Sequence, residues 1–249
     1  MTRMTPTIWL WPGQAAYLGP SFHLDAHTTA VDCFAIGVDA PFTLHASECG
    51  ERHVCSALIP ARTRHQIVSG DGRMLFLYLD PGAARGRNLR AAMLDQSPSI
   101  CFHHRAESAI RGYLRDSQAP DSGPLLERVL GAPEPPVIDG RIRAAMLTIR
   151  DQPARNPTAG ELAAAAGLST SRFLHLFSVH AGTSFRRYRV WARMLYVATA
   201  VGKGMDLTRA ATEAGFASPS HFSDTFHAIF GLTATAVIAS GVHIVAADS

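Results

Sequence analysis

Residues 158–177 constrain this chain more than any other stretch, because they read as two short helices joined by a tight turn. Thr158 and Glu161 have the spacing in which each side chain caps the other's backbone, so the first helix has a defined start. Four alanines, 163–166, favour helix and let a neighbouring helix approach closely. Gly167 can turn left-handed without a Cβ penalty, and Ser169 can cap the second helix. In that second helix Phe173, Leu176, Phe177 and His180 fall at i, i+3, i+4 and i+7. Ser171, Arg172, Leu174, His175 and Ser178 are then left pointing outward. A polar and basic outer face on the second helix of such a pair is what entry into the DNA major groove requires.

Charge points to a polyanion partner for this part of the chain only. The formal net charge is +3, yet residues 162–205 hold no Asp or Glu beside Arg172, Arg186, Arg187, Arg189, Arg193 and Lys203. Residues 1–138 carry twelve basic and thirteen acidic side chains, close to neutral. A basic module beside a neutral one suggests two tasks, although a solvated helix face would give the same stripe. With 249 residues, 47% of them apolar and 17% charged, the chain has room for two modest folded domains. No apolar run is long enough to span a bilayer, and residues 1–6 lack the apolar core of a signal peptide, so a cytoplasmic protein is expected. Cys33, Cys49, Cys55 and Cys101 show no Cys-x-x-Cys spacing and are expected to be reduced.

Upstream, short apolar or alternating runs recur at 7–11, 17–18, 33–38, 42–44, 55–59, 66–68 and 74–79. Turn chemistry separates them at Pro12 and Gly13, Gly19 and Pro20, Pro41, Pro60, and 69–72. Such spacing predicts a small antiparallel barrel or sandwich. Helices are predicted at 88–95, 99–116 and 123–130, the second with an apolar stripe of Ile110, Tyr113 and Leu114. That stripe can pack on its own barrel or pair with another subunit. Pro133, Pro135 and Pro136 break the pattern, which sets domains at 1–131 and 139–249 with a proline-rich linker at 132–138.

Beyond the linker, helices are predicted at 140–152 and from 184 to about 201, with Thr183 capping the latter. The helix–turn–helix pattern then returns about 48 residues on. Residues 206–216 echo 158–168, and 218–226 echo 169–177, with Ser218 at the cap and Pro219 at the first helical position. Two such units, joined by a long helix, could present two reading helices to one side of a duplex.

These landmarks are Leu162, Ala163, Gly167–Ser169, Leu176, Phe177, Gly182–Phe185, Tyr188, Arg193, Ala211, Gly215, Phe216, Phe222, Phe226, Phe230 and Gly231. In that order they resemble the double helix-turn-helix DNA-binding domain of the AraC/XylS family of bacterial transcription regulators, over residues 140–235. More loosely, the step from Ile59 and Pro60 to His65, the 70–72 turn and the run 74–79 resemble a cupin-type barrel. The fold implied is α+β: an N-terminal cupin-like antiparallel β-barrel with flanking helices, and an all-α C-terminal domain with two helix-turn-helix units.

The resemblance implies base reading by Ser171, Leu174 and His175 in the first unit and by Pro219, Ser220, Ser223 and Asp224 in the second. Arg172, Ser178, Arg186 and Arg187 would meet phosphates, which gives affinity without sequence information. The family usually carries arginine where His175 and Asp224 stand, and arginine reads guanine bidentately, so an unusual operator is expected. Asp224 would repel phosphate but can accept from a cytosine amino group. Ala210 and Ala234 replace a larger apolar residue and a proline, which predicts weaker packing in the second unit.

The partners implied are double-stranded DNA, a small-molecule effector, RNA polymerase if the protein activates, and a second copy of the chain in a homodimer. No cofactor and no catalysis are expected. Trp9, Phe34, Phe42 and Tyr78 are candidates to line an effector site inside the barrel, with plain core packing as the competing reading. His45, Cys49, His53, Cys55 and His65 invite a metal reading, but the His-x-His pair of metal-binding cupins is missing. A metal-sensing regulator, or a cupin enzyme fused to a DNA-binding domain, are the alternatives. A third, a nucleoid-type structural binder, leaves the neutral N-terminal half unexplained.

Overall fold

The structure is a computed structural model and describes residues 5–80, 84–97, 99–117, 120–132 and 138–246. The N-terminal half begins with nine strands: β1 (Thr7–Trp11), β2 (Gln14–Pro20), β3 (His27–Thr28), β4 (Asp32–Gly37), β5 (Phe42–Ala46), β6 (Gly50–Val54), β7 (Ser56–Ile59), β8 (Arg64–Val68) and β9 (Arg73–Leu79). It continues with α1 (Ala84–Ala92), β10 (Met93–Asp95), β11 (Cys101–His104), α2 (Glu107–Asp116) and α3 (Ser122–Leu130). The C-terminal half holds α4 (Gly140–Asp151), α5 (Ala159–Ala165), α6 (Thr170–Ala181), α7 (Phe185–Gly202), α8 (Leu207–Glu213), α9 (Pro219–Phe230), α10 (Ala234–Ala239) and β12 (His243–Ala246). The proline-rich joint, 133–137, lies outside the described residues.

Two sheets form the cupin-like domain: an eight-stranded one in the order β10-β11-β7-β4-β9-β2-β1-β12, and a four-stranded one, β3-β8-β5-β6. Among the described residues no ladder joins them, so the barrel is a two-sheet sandwich rather than a closed ring. Alternation along β4 and β9 explains the layering. Cys33, Ala35, Met74 and Phe76 face the smaller sheet. Phe34, Ile36, Leu75, Leu77 and Leu79 face the opposite way, under α1–α3, with Leu89, Ile110, Leu114 and Leu125. The large sheet is therefore buried on both sides.

Two predicted helices are corrected. Residues 93–95, given to the helix at 88–95, form β10, and 101–104, given to the helix at 99–116, form β11. The open edge of β7 captures β11 by pairing Cys101 with Leu58 and Phe102 with Ala57, a ladder that local propensity does not reveal. β10 then pairs with β11. The Ile110 and Leu114 stripe packs on its own domain, where Arg111 and Arg115 donate to the Val38 carbonyl at 3.2 and 2.8 Å.

The two halves dock tightly. Tyr188 on α7 is fully buried, and its hydroxyl donates to Asp80 Oδ2 at 2.8 Å. Trp191 Nε1 donates to the Gly13 carbonyl at 3.1 Å. Thr183 does not cap α7 as expected; Ser184 does, accepting from the Arg187 amide at 3.4 Å. The Thr183 hydroxyl is buried instead and donates to Ala30 O at 2.9 Å across the domain boundary. The Gly231 carbonyl accepts from the Asp25 amide at 2.8 Å, and with φ at +72° a Cβ there would lie 2.6 Å from His27 Nδ1. Only glycine suits that contact. Finally β12 pairs in parallel with β1, adding a strand from the chain's C-terminal half to the edge of the N-terminal sheet.

Candidate nucleic-acid interface

Each helix-turn-helix unit is built from local chemistry. In the first, Glu161 accepts from the Thr158 amide at 2.6 Å while Thr158 Oγ1 accepts from the Glu161 amide at 3.2 Å, so the capping box forms at the start of α5. Gly167 sits at φ +64° in the turn, and Ser169 caps α6 by accepting from the Arg172 amide at 3.3 Å. In the second unit Asp206 caps α8, Gly215 takes φ +83°, and Ser218 caps α9 from the His221 amide at 3.0 Å with Pro219 at the first position. Phe173, Phe177 and Ala181 bury the inner face of α6, as Phe222 and Ile229 do for α9. Ala210 and Ala234 are both buried, so the second unit keeps a closed core with its smaller residues.

Every residue proposed to read bases is exposed: Ser171, Leu174 and His175 on α6, and Pro219, Ser220, Ser223 and Asp224 on α9. Ser171, Leu174, His175 and Ser178 form one stripe along α6, at i, i+3, i+4 and i+7. The matching stripe on α9 is Ser220, Ser223, Asp224 and His227. The two stripes differ at their last position. Ser178 is exposed, whereas His227 Nε2 is held 3.0 Å from Asp25 Oδ2 of the N-terminal domain.

The basic stripe is less uniform than its sequence suggests. Arg172, Arg186 and Lys203 are exposed. Arg187 is half-buried and reaches the Thr29 carbonyl at 3.5 Å. Arg189 stacks over Phe185 at 5.4 Å, and Arg193 over Phe216 at 5.8 Å. Burial lowers the pKa of both of these arginines. Arg193 thereby ties the long helix to the second unit, while Arg189 lies along its own helix over Phe185.

An apolar cavity of about 110 Å³ lies between the β1, β2 and β9 face and helices α7 and α9. Ile8, Tyr17, Tyr78, Trp191, Leu195 and Phe230 are among its walls, and none of the described residues lining it is charged. Of the four effector candidates only Tyr78 lines it. Trp9 and Phe34 point to the other side of the sheet, into the cluster under the helices, and Phe42 sits between the sheets. The residues missed were their neighbours of opposite parity, Ile8 and Leu10 on β1.

The five His and Cys residues considered for metal are dispersed. His65 is buried, bonded through Nδ1 to Thr63 O at 3.0 Å and packed 4.4 Å from the His27 ring. The Cys55 sulfur accepts from Arg111 at 3.1 Å, His53 meets Thr43 at 3.4 Å, and His45 lies 3.7 Å from Glu51. Cys49 reaches only the Gly50 carbonyl, at 3.6 Å. Among the described residues no three His, Cys, Asp or Glu side chains stand where they could share a metal ion. No helix among them is long and apolar enough to cross a membrane.

Comparison with known proteins agrees with this geometry. Residues 162–240 match the family described as a helix-turn-helix domain. No curated protein matches the sequence. Among solved structures, an apo variant of ToxT from Vibrio cholerae aligns with a TM-score of 0.63 at 10% identity, covering 93% of this chain and 98% of that one. Wild-type V. cholerae ToxT bound to an unsaturated fatty acid aligns at 0.55 and 12% identity, over 93% and 95% of the two chains. ToxT bound to (E)-4-(8-methylnaphthalen-1-yl)but-3-enoic acid aligns at 0.56 and 12% identity, over 92% and 99%. The likeness at this identity is one of fold, and it spans both domains. The C-terminal domain of this chain is accordingly a helix-turn-helix domain, carried behind a cupin-like N-terminal domain.

Proposed function

We propose that the protein is a sequence-specific DNA-binding transcription regulator whose N-terminal domain receives a small effector. The observation that carries this reading is the pair of capped helices, α6 and α9, each with a buried apolar face and an exposed stripe at the equivalent positions. Ser171, Leu174, His175, Pro219, Ser220, Ser223 and Asp224 read base edges, and Arg172, Ser178 and Arg186 hold phosphates. Arg187 joins them only if the domains part, because it now faces Thr29.

The apolar cavity is the effector site in this reading. The fatty acid and the naphthalenyl butenoic acid bound by ToxT support an apolar ligand. With no charged residue among its described walls, the cavity here suits an uncharged molecule better than a carboxylate. At about 110 Å³ it is a little smaller than the ~150 Å³ cavity that admits benzene, so a larger ligand must separate α7 and α9 from the sheet. That movement would loosen the Asp25–His227 contact at the end of the α9 stripe and couple effector to DNA. Decanol should therefore bind more tightly than decanoate in calorimetric titration; equal binding would remove the preference for neutral ligands.

The decisive experiment is selection of bound duplexes from a random DNA pool, repeated with His175→Ala. A defined motif should emerge, and the variant should lose preference at one base pair, at a cost of roughly 1–3 kcal/mol on the selected site. Equal losses on selected and random DNA would remove His175 from the readers, and no enrichment would overturn the function.

A further inference from the structure

A second cleft, separate from the apolar cavity, opens where β3 and β8 meet the start of α7 and the far half of α9. Its volume is about 650 Å³, within the ordinary range for small-molecule sites. Its walls are of a different kind. Arg64 comes from β8, Arg186 and Arg187 from the first turn of α7, and His27 and His227 from β3 and α9. Arg62 stands beside them: its amide donates to the Thr29 carbonyl at 3.1 Å, the same oxygen that Arg187 reaches at 3.5 Å.

Among the described residues none of these four arginines is paired with a carboxylate. The neighbouring Asp25 carboxylate lies against His227, at 3.0 Å, and against none of the four arginines. Burial and the like charges of Arg62 and Arg186 both lower the pKa of Arg187. Ser184, the cap of the 18-residue α7, also lines the cleft, so the positive end of that helix faces it. Cations from two domains that converge with no counter-charge repel one another, and an anion between them turns repulsion into attraction. Guanidinium forks take phosphate or carboxylate oxygens in pairs.

We propose that this cleft binds a small multivalent anion of the pyrophosphate or polycarboxylate class, clamped between Arg64 of the N-terminal domain and Arg186 and Arg187 of the helix-turn-helix domain. A free anion fits better than the DNA backbone. Arg64 belongs to the other domain, and the opposite wall is mainly the Thr225 and Ile229 side of α9, which shares only His227 with the exposed stripe. Bound there, the anion holds the domains in their docked arrangement. It also withdraws Arg186 from DNA phosphates, a consequence that rests on the function proposed above.

The test is calorimetric titration of the full chain with pyrophosphate and with citrate at constant ionic strength. One of the two should bind saturably at one site, and Arg64→Ala and Arg187→Ala should each weaken it at least tenfold. Arg52→Ala, on the exposed strand β6, should leave binding unchanged. Arg64 is exposed, so its replacement disturbs no core. In a parallel arm, Arg64→Ala should bind random duplex DNA as the wild type does. Absence of saturable binding, an equal loss with Arg52→Ala, or retention in Arg64→Ala would overturn the site. So would a loss of DNA affinity in Arg64→Ala as large as that in Arg186→Ala, which would make the cleft a DNA contact. Failure of the wild type to bind any DNA would strike the regulator reading and leave the calorimetric result standing.

Discussion

Removing one hydroxyl tests whether the two domains are fixed to each other. In Tyr188→Phe the ring keeps its place against Phe177, whose centroid lies 5.4 Å away, so packing changes little. What is lost is the 2.8 Å bond to Asp80, a side chain only 3% exposed. A hydrogen bond to a charged group is worth about 1.5–3 kcal/mol, and a buried carboxylate that loses a donor recovers little from water. We expect a loss of about 2 kcal/mol, read as a shift of the urea midpoint by roughly 1 M at an m-value near 2 kcal/mol/M. Because docking and folding are separate processes in a two-domain chain, the transition should also broaden or split. A cycle with Asp80→Asn isolates the pair, and its coupling should exceed about 1 kcal/mol. A coupling within about 0.5 kcal/mol of zero, with an unchanged transition, would show that the domains are held by something other than this bond.

Two further expectations concern charge. Replacing Arg172 and Arg186 together by alanine should weaken binding to all sequences and reduce the slope of log affinity against log salt by about 1.8, from 0.9 per phosphate; an unchanged slope would mean that neither meets the backbone. Burial, and then the neighbouring His27, holds His65 down at about 4 from an ordinary 6.5. The folded state thus binds fewer protons than the unfolded one between those values, so stability is full above pH 6.5 and falls by ~3 kcal/mol as pH drops toward 4. Urea midpoints measured from pH 7.5 to 4.5 should show that slope in the wild type and a shallower one in His65→Gln; parallel curves would refute it.

The two helix-turn-helix units were legible because their signals are local. Caps at Thr158, Ser169 and Ser218, left-handed glycines at 167 and 215, and apolar residues at helical spacing all act within a few residues of one another. The strands of the large sheet were legible in rhythm but not in parity. Trp9 and Phe34 look as inward as Ile8 and Leu10 when both sides of a sheet are buried, so the alternation alone could not say which side holds the cavity. Residues 101–104 failed for a related reason, since the open edge of β7, far back in the sequence, decides their conformation. Arg193 read as part of a DNA-facing stripe because nothing in its own segment shows that Phe216 lies beneath it. The anion cleft was out of reach altogether, as Arg64 and Arg187 come to line one cleft only after the domains dock.

The pairing of β12 with β1 has a consequence for how the protein is made. Until the ribosome has delivered residue 246, β1 waits with one row of amides and carbonyls unsatisfied. A nascent chain in that state can be captured by the same edge on a neighbouring polysome, and a chaperone that shields extended segments would have its longest task at residues 7–11.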